Sequence, residues 1–95
     1  NLINLTLEDN DLQMIPKTIG LLTKLNHLTL SYNQLQTLPE EFGFLTNLTE
    51  LRLQGNKFQS LPETMSKLTN LQKLYINLNH ANLIPINISH ITRPL

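Results

Sequence analysis

Four prolines, Pro16, Pro39, Pro62 and Pro85, stand 23 residues apart, and Asn10, Asn33, Asn56 and Asn79 keep the same spacing with no insertion or deletion. A period of this length repeated through a whole chain leaves few folds open. Each unit is too short to bury an apolar face alone, so successive units must stack and share one continuous core.

Aligned on that period, Leu2, Leu25, Leu48 and Leu71 form one column, Leu5, Leu28, Leu51 and Leu74 a second, and Leu7, Leu30, Leu53 and Ile76 a third. Further columns are Leu12, Leu35, Phe58, Ala81; Ile15, Leu38, Leu61, Ile84; Ile19, Phe42, Met65, Ile88; and Leu22, Leu45, Leu68, Ile91. The second and third columns alternate with polar residues at period two, the pattern of a half-buried strand. One strand per unit, stacked in register, predicts a parallel sheet. The asparagine column falls where the chain turns away from the strand, and an inward amide there can satisfy backbone groups that the turn leaves unpaired. All four asparagines are therefore expected to be buried. Each proline fixes φ, removes a donor and disfavours helical geometry in its predecessor, so the return segments are expected to be extended or short 3₁₀ turns. Gly20 and Gly43 precede the last leucine of their units, but Ser66 and Ser89 replace them later, so glycine reads as dispensable there.

Spelled out, each unit reads LxxLxLxxNxLxxLPxxIxxLxx with these substitutions. This resembles the leucine-rich repeat family in its 23-residue subtype, and the "LP" step is similar to repeats of intracellular Ras-associated scaffolds and of many bacterial repeat proteins. The resemblance implies an α/β solenoid: a right-handed superhelix of four repeats, with a concave parallel sheet and convex extended or 3₁₀ segments. The repeats run at about 2–24, 25–47, 48–70 and 71–93 within a single domain of residues 1–95.

Composition narrows the function. The 95 residues include no cysteine, which removes disulfide frameworks, thiolate catalysis and cysteine zinc sites. A reducing, cytoplasmic setting is favoured, with a secreted or surface location left open for a trimmed chain. No apolar run reaches the roughly 18 residues of a membrane span. The zero formal net charge argues against nucleic acid as a partner. Its distribution is uneven, since residues 1–50 carry two cations against six carboxylates and residues 51–95 carry five against one. Such a dipole would orient partners along the solenoid or favour head-to-tail contacts between copies.

Motifs for chemistry are missing. His27, His80 and His90 fall on the concave strand, the ascending loop and the convex return of different units, so they do not converge on a metal. Glu8, Asp9, Asn10 and Asp11 lack the glycine and distant glutamate of a calcium loop and read as a solvated acidic loop. No nucleophile elbow, phosphate-binding glycine loop or HExxH pattern is present, and no cofactor is implied. Asn4-Leu5-Thr6, Asn47-Leu48-Thr49 and Asn87-Ile88-Ser89 match the glycosylation pattern, which twelve asparagines produce readily by chance.

The outward strand positions carry the functional expectation. Equivalent residues of adjacent strands are expected to lie about 4.8 Å apart, as ladders of side chains. The ladders are Asn4, His27, Glu50, Lys73; Thr6, Thr29, Arg52, Tyr75; and Glu8, Ser31, Gln54, Asn77, followed at the rim by Asp9, Tyr32, Gly55 and Leu78. Aromatic and arginine residues dominate interaction hot spots. The expected protein-binding surface therefore comprises His27, Thr29, Tyr32, Glu50, Arg52, Gln54, Lys73, Tyr75 and Asn77, with Glu50 pairing laterally with Lys73 and Arg52 stacking on Tyr75. Leu21 and Phe44 form a smaller convex apolar pair. At the amino end, Leu2, Leu5, Leu12, Ile15, Ile19 and Leu22 are expected to face water without a cap, while Ala81, Ile86 and Pro94 mark an atypical last unit. The reading is a non-catalytic module or scaffold that binds a protein on its concave face. Its rivals are a segment that self-associates through uncapped ends and the recognition part of a larger regulatory enzyme.

Overall fold

The repeat period becomes a stack of near-identical coils. The computed structural model describes residues 2–58 and 61–76, together with the backbone of 92–94. Strands β1 (Asn4–Thr6), β2 (His27–Thr29), β3 (Glu50–Arg52), β4 (Lys73–Ile76) and β5 (Thr92–Pro94) form one parallel sheet in chain order. The first three pairings keep the sequence period, with Leu5 opposite Leu28, Leu28 opposite Leu51 and Leu51 opposite Leu74. The fourth does not: Leu74 pairs with Thr92, Tyr75 with Arg93 and Ile76 with Pro94. That step spans 18 residues, so β5 arrives earlier than a full period would bring it. Ala81, Ile84, Pro85, Ile86, Ile88, Ile91 and Leu95 lie outside the described residues.

Backbone ladder bonds run on beyond the strands, from Leu7 N to Thr29 O at 2.8 Å, Leu30 N to Arg52 O at 2.8 Å and Leu53 N to Tyr75 O at 2.7 Å. On the opposite side each coil returns through a five-residue 3₁₀ turn: η1 (Lys17–Leu21), η2 (Glu40–Phe44) and η3 (Glu63–Lys67). Proline caps every one with φ between −70° and −67°. The ring presets the entry, its carbonyl accepts the first i+3 bond, as from Ile19 N to Pro16 O at 3.1 Å, and the turn ends after one such unit.

The leucine columns fill the space between sheet and turns. Leu25, Leu28, Leu30, Leu48, Leu51, Leu53, Leu68 and Leu74 are sealed from solvent, and Phe42 and Met65 plug the same layer from the convex side. At about 1.5–3 kcal/mol for each fully buried large aliphatic side chain, these columns dominate stability. The first coil is less exposed than its sequence suggests. Ile15 and Ile19 are buried, and Leu5, Leu7, Leu12 and Leu22 are half-buried against the core, because a coil's inward side chains also pack on the coil that follows. Leu2 and Ile3 stay exposed.

Gly20 and Gly43 have a role the sequence does not reveal. Both are buried, and a methyl group at Gly43 would sit 2.7 Å from Thr64 Cβ and 2.8 Å from Thr64 O, while one at Gly20 would sit 2.9 Å from Glu41 O. Glycine is what lets adjacent 3₁₀ turns approach. The expectation that it is dispensable fails for these two positions.

Candidate functional site

Two asparagine ladders hold the coils at fixed spacing, and so hold the concave side chains. Asn33 is almost fully buried; its Nδ2 donates to Leu7 O and Leu30 O, each at 3.0 Å, and to Ser31 O at 3.2 Å, while its Oδ1 accepts from Leu12 N at 3.2 Å. Asn56 repeats this one coil later, donating to Leu30 O at 2.9 Å and Leu53 O at 3.0 Å and accepting from Leu35 N at 3.1 Å, although it is only half-buried. Asn10 departs from the expectation of burial. It bonds within its own coil, to Leu7 O at 3.0 Å, and is exposed because no coil in this structure packs on its outer side. Asn79 and Asn77 lie outside the described residues.

The second ladder escaped the sequence reading. Asn47 Nδ2 donates to Thr23 O at 2.8 Å and Asn70 Nδ2 to Thr46 O at 2.9 Å, one coil back in each case. Its signal in the sequence is the pair of asparagines one period apart, the first of which also falls in a glycosylation pattern. Asn87 lies outside the described residues.

On this frame the concave face builds one compact cluster. Glu50 and Arg52 leave β3 on the same side, and Arg52 Nε donates to Glu50 Oε2 at 2.7 Å. The Arg52 guanidinium carbon lies 4.6 Å from the centre of the Tyr75 ring on β4, as the column alignment anticipates. The lateral pairing of Glu50 with Lys73 is not formed, although their Cα atoms are partners. The i, i+2 neighbour takes the carboxylate instead, and Lys73 remains exposed. The bond from Arg52 holds the Glu50 carboxyl below its ordinary range against the opposing effect of burial, with the charges of Arg52, His27 and Lys73 adding to it. Reciprocally, the bond to Glu50 raises the Arg52 pKa, so the pair is ionised throughout the neutral range.

His27 is exposed and its Nδ1 donates to Asn4 Oδ1 at 3.0 Å, which ties the first two strands together at the surface. Thr29, at the end of β2, is half-buried and is the register partner of Arg52. Tyr32 stands at the rim, 54% exposed, with φ of 59°. The rim turn takes a left-handed residue in three successive coils, Asp9 at 61°, Tyr32 at 59° and Gly55 at 80°. Only the last is free of the Cβ penalty. The Tyr32 ring covers Gly55 so closely that a methyl group there would lie 2.8 Å from its Cε1. Below the rim, Ser31 Oγ and Gln54 Oε1 are buried without a hydrogen-bond partner among the described residues.

The structure thus joins Glu50, Arg52 and Tyr75, sets Lys73 beside them and places Tyr32 on the rim. Among the described residues no cluster of histidine, cysteine, aspartate or glutamate could hold a metal ion, and no helix is long and apolar enough to cross a membrane. The convex pair of Leu21 and Phe44 is exposed, at 78% and 55%.

Comparison with known proteins agrees with this geometry. No curated protein sequence matches the chain. A leucine-rich repeat protein of Leptospira interrogans superposes with a TM-score of 0.78 and 33% identity over 99% of this chain, and the leucine-rich repeat domain of the type III effector XopL with 0.73 and 28% over 79%. The chain spans about a quarter of each, 24% and 25% of their lengths. The family model for the leucine rich repeat matches residues 1–58. With its columns, ladders and 3₁₀ turns accounted for, the chain belongs to the leucine-rich repeat family.

Proposed function

We propose that this chain is a non-catalytic recognition module that captures a protein partner on its concave face, through Arg52, Tyr75, Lys73, Glu50 and Tyr32. Leucine-rich repeat domains generally mediate protein–protein interaction, and that general role is the background of the proposal. The observation that carries it is the immobilised guanidinium. Arg52 is bonded to Glu50 on one side and stacked on Tyr75 on another, yet its side chain is 42% exposed. An arginine oriented before docking loses little rotamer freedom when a partner arrives, so more of the contact energy appears as affinity. The half-buried Tyr75 ring beside it and the exposed Tyr32 at the rim add apolar area of the kind that anchors interfaces.

Site-specific photocrosslinking tests the reading. p-Benzoylphenylalanine replacing Thr29 places the probe on the concave sheet beside Arg52, and the same residue replacing Lys67 places it on the convex side. In the cells from which the protein comes, the concave probe is expected to give a discrete adduct with another protein, lost in Arg52→Ala and Tyr75→Ala variants that retain the parent circular dichroism. Adducts from the Lys67 position alone would overturn the concave assignment. An adduct of two copies of this chain would replace partner capture with self-association.

A further inference from the structure

The sheet register assigns a charge to the partner. Resting on the concave-face reading above, we infer that the carboxyl-terminal half of this face takes an acidic side chain of a protein partner, held by Arg52 with Lys73 beside it.

Three observations lead there. First, among the described residues only one of the five N–H donors of Arg52 finds an acceptor, the Nε–H that bonds Glu50, and none takes the Nη hydrogens. Their fork matches a carboxylate in bidentate geometry, and the contact with Glu50 and Tyr75 has already fixed its plane. Second, the cations gather at one end of the face. Lys73 is paired in register with Glu50 and is exposed. The early return of the chain into β5 puts the backbone of Arg93 beside that of Tyr75, so Arg52, Tyr75 and Arg93 occupy successive positions across three strands. A regular 23-residue step would have put Arg93 in the column of Lys24, Asn47 and Asn70 instead. Third, the one anion within these strands, Glu50, is already engaged with Arg52, and Glu8 beyond β1 acts on Arg52 through its charge alone, which leaves Lys73 as the exposed cation beside the pair. An acidic group arriving over Tyr75 meets the Arg52 fork on one strand and Lys73 two residues away on its own. A basic group would meet like charges.

Fluorescence anisotropy tests this with a labelled peptide of alternating glutamate and alanine, its glutamine counterpart and a single-stranded RNA, each titrated against the chain. The glutamate peptide is expected to bind, the glutamine peptide not, with affinity falling as salt rises. Arg52→Gln and Lys73→Gln are each expected to weaken binding about tenfold, corresponding to about 1.4 kcal/mol. Arg52→Lys should fail to restore it, because a point charge does not reproduce the fork. The convex variant Leu21→Ser should bind as the parent does. Equal binding of the glutamine peptide, preference for the RNA, or no glutamate-peptide binding up to millimolar concentration would overturn the inference. Crosslinking from the Thr29 position to the native partner separates the two failures. If it persists while the acidic preference is missing, only the partner's charge is wrong; if it is absent as well, the concave reading falls with it.

Discussion

Glu50 shows how a single side chain sets the quality of the site. Its carboxylate holds the Arg52 guanidinium at 2.7 Å, and that hydrogen bond is the main reason its own pKa lies below the ordinary range. A carboxyl with a depressed folded-state pKa contributes stability above its unfolded value and loses it as pH falls through the folded one. A partly exposed pair is worth roughly 0.2–1 kcal/mol. Glu50→Gln should therefore lower the melting temperature by about 1–5 °C at pH 7, with the difference closing as pH drops below about 4. Thermal melts of both proteins across that range check this, and a difference that stays constant into acid would show that packing rather than charge is lost. The residues of this cluster were partly legible in advance. The 23-residue period alone places Arg52 beside Tyr75, since register is a property of the backbone. Which cation takes Glu50 was not legible, because the choice between the i+2 neighbour and the lateral Lys73 depends on side-chain reach.

At the scale of elements, the strands and the 3₁₀ turns follow from local rules that leave a mark in every repeat: period-two leucines for the first and a proline cap for the second. The contacts between turns leave almost none. Gly20 and Gly43 look replaceable in an alignment where serine follows them, yet a Cβ at either would meet the next turn closer than van der Waals contact allows. Gly43→Ala should destabilise the protein by about 1–3 kcal/mol, because the added methyl group meets both the side chain and the backbone oxygen of Thr64. Thr64→Ala in the same chain removes only the Oγ1 contact at 3.1 Å and should recover little of the loss, since Cβ at 2.7 Å and the carbonyl at 2.8 Å remain. Urea unfolding of the two single variants and the double variant measures this directly. Full recovery would mean that η2 and η3 slide apart freely, and that glycine is not what sets their spacing. The shortened step into β5 was also hidden, since no residue type announces that a repeat closes five positions early.

For the whole molecule, the same hydrogen bond made at three successive places offers an internal ruler of stability. Leu7, Leu30 and Leu53 each donate their amide to the following strand, at 2.8, 2.8 and 2.7 Å, so local geometry does not distinguish them. Their surroundings do. Leu30 and Leu53 lie in coils packed on both sides and are sealed, whereas Leu7 lies in the first coil and is half-buried. In a solenoid, each coil is held by its own residues and its nearest neighbours, so a coil with one neighbour opens at lower cost than one with two. Asn33 bridges the first pair of coils by holding Leu7 O and Leu12 N, and Asn56 bridges the second pair in the same way. Hydrogen exchange on this 95-residue chain should find the Leu7 amide exchanging at least about tenfold faster than those of Leu30 and Leu53, a difference of about 1.4 kcal/mol in opening free energy. Equal protection at all three would mean that the coils open only together. The concave cluster on β3 and β4 would then gain no rigidity from its place in the stack, and the case for a preoriented Arg52 would rest on the contacts with Glu50 and Tyr75 alone.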